Sequence, residues 1–235
     1  MENILPIHLQ EVIFGSSDKK ISRQISILLK KGRIRKIAPR IYTSNLNEPI
    51  EDIIRRNLFQ ILGKQYPGAL LSHRSAFEYS PTKAGYIFLT YTNTKKVKLP
   101  GITISFKEGK KPIDGDNVIS GELYVSQKAR AFLENLQAFK NPGPKSKCLT
   151  LPELEEKLEQ IIRVNGEAEI NIVRDNAKSI AKTLSMQKEF ERLNKMISAL
   201  LTTNTSKILS SPLAIARAFG SPFDPGRIEV FEELF

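Results

Sequence analysis

The chain has a single cysteine, Cys148, so no internal disulfide forms, and the expected setting is a reducing, cytoplasmic one. It has two histidines, His8 and His73, too few with that one thiol for a zinc site of His and Cys ligands. No apolar run approaches the ~20 residues of a membrane span, so no membrane partner is expected. The opening MENILPIHLQEVIF lacks both a basic region and a clean apolar core, which argues against a secretory signal. Acidic residues are missing from one stretch in particular. From Lys19 to Arg40 the sequence reads KKISRQISILLKKGRIRKIAPR, with nine lysines and arginines and no Asp or Glu.

That stretch accounts for most of the charge imbalance. The 235 residues carry 36 Lys and Arg against 25 Asp and Glu, a formal net charge of +11, and the remainder is nearly balanced apart from small basic patches at Lys95–Lys98 and Lys107–Lys111. A concentrated cationic segment is the electrostatic footprint of a polyanion partner, nucleic acid first. The hydrophobic fraction of 40% is ordinary for a globular protein, and the length suffices for more than one domain.

The expected fold class is α+β, with an N-terminal winged helix-turn-helix over residues 1–45, a mixed α/β middle domain over 48–140 and a helical C-terminal region over 150–235. In the first unit, Leu5, Leu9, Val12 and Ile13 suit a short helix over Ile4 to Phe14. Gly15-Ser16-Ser17 breaks it, and either serine is placed to cap a second helix from about Asp18 to Lys31. Ile21, Ile25, Leu28 and Leu29 form its apolar stripe, and Gly32 is placed to end it. RIRKI, the turn at Ala38-Pro39-Arg40 and IYTS read as a short basic hairpin anchored by Ile34, Ile37, Ile41 and Tyr42.

Helix, helix, basic hairpin is a winged-helix order, in which the second helix enters the major groove and the hairpin lies along the backbone. Arg23 and Gln24 are the base-contact candidates, because guanidinium and amide groups bond bidentately to base edges. Ser22 and Ser26 supply smaller contacts. Lys19, Lys20 and Lys30 flank them on the helix, and Arg33, Arg35, Lys36 and Arg40 are phosphate or minor-groove candidates. The bland alternatives are a solvated charged face, or a winged helix used as a protein-interaction module.

Residues 43–48 read as a linker and Pro49 to Tyr66 as an amphipathic helix stopped by Pro67-Gly68. SHRSAFEY is expected as a short helix capped by Ser72. GYIFLTYT, VKLPGITISF and Gly121–Val125 have strand composition, and Ser126 is placed to cap a helix over QKARAFLENLQAF. Ser72, His73 and Arg74 invite a nucleophile reading, but no G-x-S-x-G elbow surrounds them. Glu78, Asp114, Asp116, Glu122 and Lys128 invite a nuclease reading, but reproduce no metal-binding loop. No glycine-rich phosphate loop precedes a helix. The expectation is therefore a non-enzyme with no cofactor and no metal.

Asn141-Pro142-Gly143-Pro144 marks a boundary. Helices are expected over Pro152–Val164, Gly166–Leu184 and Gln187–Leu200, then a linker from Thr202 to Ser211, a short helix in SPLAIARAFG and an acidic, aromatic tail that needs burial or continues into something longer.

The segment ISRQISILLKKGRIRKIAPRIYTSNL resembles the winged-helix segment of the AbiEi-type antitoxin and transcriptional-regulator group. Leu29, Gly32, Arg35 and Tyr42 occupy that group's pattern of helix end, basic run and tyrosine, although Arg40-Ile41 stands where a glycine often precedes the tyrosine. The likeness continues through LSHRSAFEYSPTKAGYIFLT, KKVKLPGI and SQKARAFLENL. It implies an antitoxin-like regulator that binds double-stranded DNA at its own promoter and opposes a nucleotidyltransferase-like toxin.

The closer resemblance, over almost the whole chain through SPLAIARAFGSPFDPGRIEVFEELF, is to the long N-terminal region preceding the catalytic domain of certain Fic-family proteins. That implies an alternative role as a non-catalytic regulatory module for a Fic-type adenylyltransferase or a toxin. The Fic signature of His-Pro-Phe and a glycine-rich loop is absent. A toxin or Fic-type protein and a second copy of the chain are the protein partners expected.

Overall fold

The computed structural model describes residues 6–137 and 145–209 of the chain. The fold is α+β: an N-terminal strand and helix region, a mixed α/β sheet domain, and a C-terminal region of packed helices.

The N-terminal unit begins with a 3-10 turn at Ile7–Leu9, strand β1 (Val12–Phe14) and helix α1 (Lys19–Lys30). Strands β2 (Arg35–Ala38) and β3 (Ile41–Thr43) follow and complete an antiparallel sheet in the order β1-β3-β2. The helix expected over Ile4 to Phe14 is thus corrected within its described residues. Val12 and Ile13 are β-branched and adjacent, and strand alternation sends them to opposite faces, each with a core to fill. Val12 packs with Ile37, Ala38 and Ile41 toward the middle domain, whereas Ile13 packs with Ile25 and Ile34 beneath α1. A helix would place both on one side. A bulge between Lys36 and Ala38 turns Ile37 and Ala38 both inward.

The small sheet therefore has α1 on one face and the middle domain on the other, and residues 44–48 do not hang free between them. Ser44 Oγ donates to the carbonyl of Gln10 at 2.9 Å, and the Asn45 side chain accepts from the backbone N–H of Asn47 at 3.1 Å. Arg56 pairs with both Glu11 and Glu48, and the Asn57 amide donates to Glu11 at 2.9 Å. The Arg56 hydrogen bond, then Asn57, hold the Glu11 carboxyl down at about 2.

The middle domain starts with α2 (Ile50–Arg56) and α3 (Leu58–Gln65), which break at Asn57 where one helix from Pro49 to Tyr66 is expected. Strand β4 (Leu70–Leu71) leads into α4 (Ser75–Glu78). Strands β5 (Tyr86–Tyr91), β6 (Lys95–Leu99), β7 (Ile102–Glu108), β8 (Asn117–Ser120) and β9 (Leu123–Val125) complete the sheet before α5 (Lys128–Asn135). The sheet order is β6-β7-β5-β4-β9-β8, with β5–β7 and β4–β9 parallel and the other pairs antiparallel.

One sheet face is apolar: Leu71, Ile87, Leu89, Ile104, Phe106, Leu123 and Val125 pack with Ile53, Ile54, Leu58, Ile61 and Leu62 of α2 and α3. Gly63 permits this approach, because a Cβ there would lie 2.2 Å from the carbonyl oxygen of Ser120. The alternate residues Ser72, Thr90, Thr103, Ser105 and Lys107 belong to the opposite face, together with the buried Leu70 and Phe88.

Ala129, Phe132, Leu133 and Leu136 share a second core with the C-terminal helices α6 (Leu151–Leu184) and α7 (Gln187–Leu209). Thr150 and Glu153 form a reciprocal capping box at the start of α6, with Pro152 in its first turn. Within α6 the two helices expected on either side of residue 165 are present, parted by a kink at Gly166, whose φ of 81° and ψ of 177° are not helical. Helix α7 runs through Thr202 to Leu209, so that part of the expected linker is helical. SPLAIARAFG and the acidic tail lie outside the described residues.

Candidate nucleic-acid interface

Helix α1 rests on the small sheet through very little. Ile25 is its one buried residue, and Leu28 is half-buried against the same cluster. Ile21 and Leu29, expected in the buried stripe, are exposed. Neither serine caps the helix: Asp18 accepts from Lys20 N–H at 2.7 Å and Ile21 N–H at 3.2 Å, while Ser16 Oγ accepts from Asp18 N–H. A carboxylate is the better cap because its negative charge also meets the helix dipole. At the other end Gly32 has a φ of 65°, and Arg33 N–H reaches back to Leu28 O at 2.9 Å, which closes the helix with a glycine-dependent turn.

Lys19, Lys20, Ser22, Arg23, Gln24, Ser26 and Lys30 are all exposed. At 3.6 residues per turn, Arg23 and Ile27 lie most directly opposite Ile25, with Lys19, Lys20 and Lys30 around them; Gln24 and Ser26 sit on the two flanks, and Ser22 nearer the buried side. Ile27 is 44% exposed in the middle of this cationic face. The sequence reading missed it because apolar residues were sought on the buried side. Among the described residues, no carboxylate forms an ion pair with any cation of α1. Ser26 Oγ bonds back to Ser22 O at 3.0 Å.

The hairpin divides its four basic residues. Arg33 and Lys36 are exposed. Arg35 is partly buried and spends its guanidinium on backbone, donating Nε–H to Asn45 O at 3.0 Å and an Nη–H to Glu48 O. Arg40 occupies the turn with a φ of 60°, donates to Gly15 O at 3.3 Å and accepts Gly15 N–H at its own carbonyl at 2.7 Å. Proline then a positive φ is the type II turn pattern, and the Gly15 contact ties the turn to the start of α1.

The residues that invite a nucleophile or nuclease reading have other partners. Glu78 pairs with Arg74, Asp116 with Arg130, and Lys128 with Glu169. No group of three His, Cys, Asp or Glu residues fit to hold a metal occurs among the described residues, and no described helix is long and apolar enough to cross a membrane. Ser72 caps no helix; its Oγ lies 2.9 Å from His73 Nδ1 and accepts from Thr90 at 2.9 Å. Ser126 likewise caps nothing and donates to Glu134 at 2.8 Å. Burial, then the positive charge of Lys147, push the His73 imidazole down to about 3.

Searches against protein-family models, curated proteins and solved structures find no match.

Proposed function

We propose that this protein is a DNA-binding transcriptional regulator of antitoxin type, cytoplasmic, acting on double-stranded DNA at its own promoter. One observation carries the reading. Helix α1 is held by a single buried side chain and turns outward a face of Lys19, Lys20, Arg23 and Lys30 that no described carboxylate neutralises. Such a helix fits a major groove, and its cations release counterions from phosphate on binding.

Arg23 makes the base-edge contact at the centre of that face, Ile27 meets a thymine methyl, and Gln24 reads from the flank. Lys19, Lys20, Lys30, Arg33, Lys36 and Arg40 neutralise phosphate. Arg35 contributes mainly by fixing the hairpin to residues 45–48. Two copies reading two half-sites complete the scheme.

The test is binding of the full chain to its own upstream duplex beside a scrambled duplex at two salt concentrations. Preference for its own duplex that survives the higher salt supports the reading. Equal binding to both duplexes that vanishes with salt overturns it.

A second reading has an observation of its own. Ile21, Ile27 and Leu29 are exposed on α1, which also suits a regulatory module that docks a toxin or a Fic-type adenylyltransferase. Retained partner binding by a variant with Arg23 and Lys30 neutralised separates this reading from the first.

A further inference from the structure

The face of the large sheet that carries Thr90 and Lys107 bears a half-enclosed pocket of about 200 Å³, remote in sequence from α1 and independent of the DNA reading. Thr90 of β5 and Lys107 of β7 stand side by side at the ends of two parallel strands. Helix α5 supplies Arg130 and Glu134 to the lining, Gln137 follows just beyond its end, the segment before α6 supplies Lys147, and the α6–α7 turn supplies Leu184 and Met186. Lys110 and His73 complete the polar wall.

The frame of this pocket is fixed. Arg130 is 2% exposed and bonds to Glu134 at 2.8 Å, Asp116 at 2.5 Å, Lys111 O at 3.2 Å and Lys110 O at 2.9 Å. Glu134 also accepts the backbone N–H of His73 at 3.1 Å. His73 makes that bond from a left-handed backbone, φ 55°, a conformation a β-carbon disfavours and which concentrates at ligand sites. Asp116 and Glu134 are thus spent on Arg130.

The pocket lysines form no ion pair among the described residues. Lys147 donates to His73 Nε2 at 3.0 Å and to Gln137 Oε1 at 2.9 Å, leaving one N–H of the ammonium. No described carboxylate pairs with Lys107, Lys110 or Lys147, although Glu108 stands on the rim. Burial most of all, and the nearby Lys107 charge, disfavour the Lys147 ammonium, while Cys148 and Glu134 act in the opposite sense; the net shift is downward. Cations gathered by elements so far apart in sequence, and left facing one another, favour an anion between them.

We propose that this pocket binds a phosphate group, either as free inorganic phosphate or as the terminal phosphate of a small molecule. Phosphate accepts from several lysines at once, as a carboxylate does less well. A volume below the ~300 Å³ of typical small-molecule sites fits the phosphate itself, with any remainder of the ligand projecting through the open side. The Leu184–Met186 rim lies on the same pocket, so a bound phosphate joins the α6–α7 turn to the sheet domain.

Isothermal titration of the full chain with inorganic phosphate, at constant ionic strength in chloride, tests this. Lys107 and Lys110 are exposed, so the Lys107→Gln/Lys110→Gln variant keeps its fold; Lys147→Met is the interior companion, with circular dichroism as its control. Binding by the wild type, weakened at least tenfold in both variants, is the expected result. No binding, or equal binding by wild type and the double variant, overturns the proposal. Adenosine 5′-monophosphate and adenosine are the further arms. Tighter binding of the monophosphate than of inorganic phosphate, with no binding of adenosine, assigns the phosphate to a larger molecule. Equal affinity for the two phosphates assigns free phosphate, and adenosine binding as well as its monophosphate overturns the proposal.

Discussion

Lys147 Nζ lies 3.0 Å from Nε2 of His73, its partner 74 positions earlier in the chain. Burial lowers the pKa of both groups, and the Lys147 charge adds to the lowering at His73. The ammonium donates to Nε2, so the ring proton belongs on Nδ1, facing Ser72 Oγ 2.9 Å away.

A pH dependence of stability follows. His73 in the unfolded chain protonates below its ordinary value of ~6.5, whereas burial and Lys147 keep it neutral in the native state down to about 3. The unfolded state therefore binds the extra proton in that window, and stability falls as pH falls through it. Between pH 6.5 and 5 the loss is about 1–2 kcal/mol. Glu134, its carboxyl raised by burial, acts in the opposite sense, and Glu11 weakens the fold only below the ordinary carboxylate range. Urea unfolding of wild type and His73→Gln at both pH values isolates the histidine: the variant is expected to show a flatter profile, and an unchanged slope contradicts the assignment.

Opposite signs are expected at Arg40. A non-glycine residue at φ 60° costs about 1 kcal/mol, so Arg40→Gly raises stability by about that amount. On the proposed DNA-binding reading it also removes a phosphate contact, and the expected result is lower DNA affinity at every sequence with a shallower salt slope. Thermal unfolding and a salt titration of binding read the two effects separately.

Ile25 and Ile27 are two residues apart and should behave differently. Ile25→Ala removes the sole buried side chain of α1 and is expected to cost about 2–4 kcal/mol. Ile27→Ser is expected to leave the unfolding midpoint unchanged and to alter preference among DNA sequences, which competition binding measures. A large stability loss at Ile27 would place it in a core that α1 does not have.

Gly63→Ala tests the approach of α3 to the sheet. Alanine favours a helix by ~1 kcal/mol over glycine. Here its methyl would meet the Ser120 carbonyl oxygen at 2.2 Å, and the expected net result is destabilisation by about 1–3 kcal/mol in urea unfolding.

The sequence by itself determined what local chemistry dictates. The basic run from Lys19 to Arg40, the helix ended by Gly32, the hairpin turning at Pro39-Arg40, and the strands on either side of Pro100-Gly101 follow from charge, periodicity and turn residues within a few positions of each other. Only the tertiary structure decided where Val12 and Ile13 point, since two cores on opposite sides of one sheet make a strand of what periodicity reads as a helix. It likewise decided that Arg35 clasps backbone while Arg23 faces outward, because partners ten and thirteen residues away settle the first. The pocket around Lys107, Arg130 and Lys147 had no local signal at all. Its residues come from separate strands, a helix and a connecting segment, and only sheet register and helix packing bring them within reach of one another.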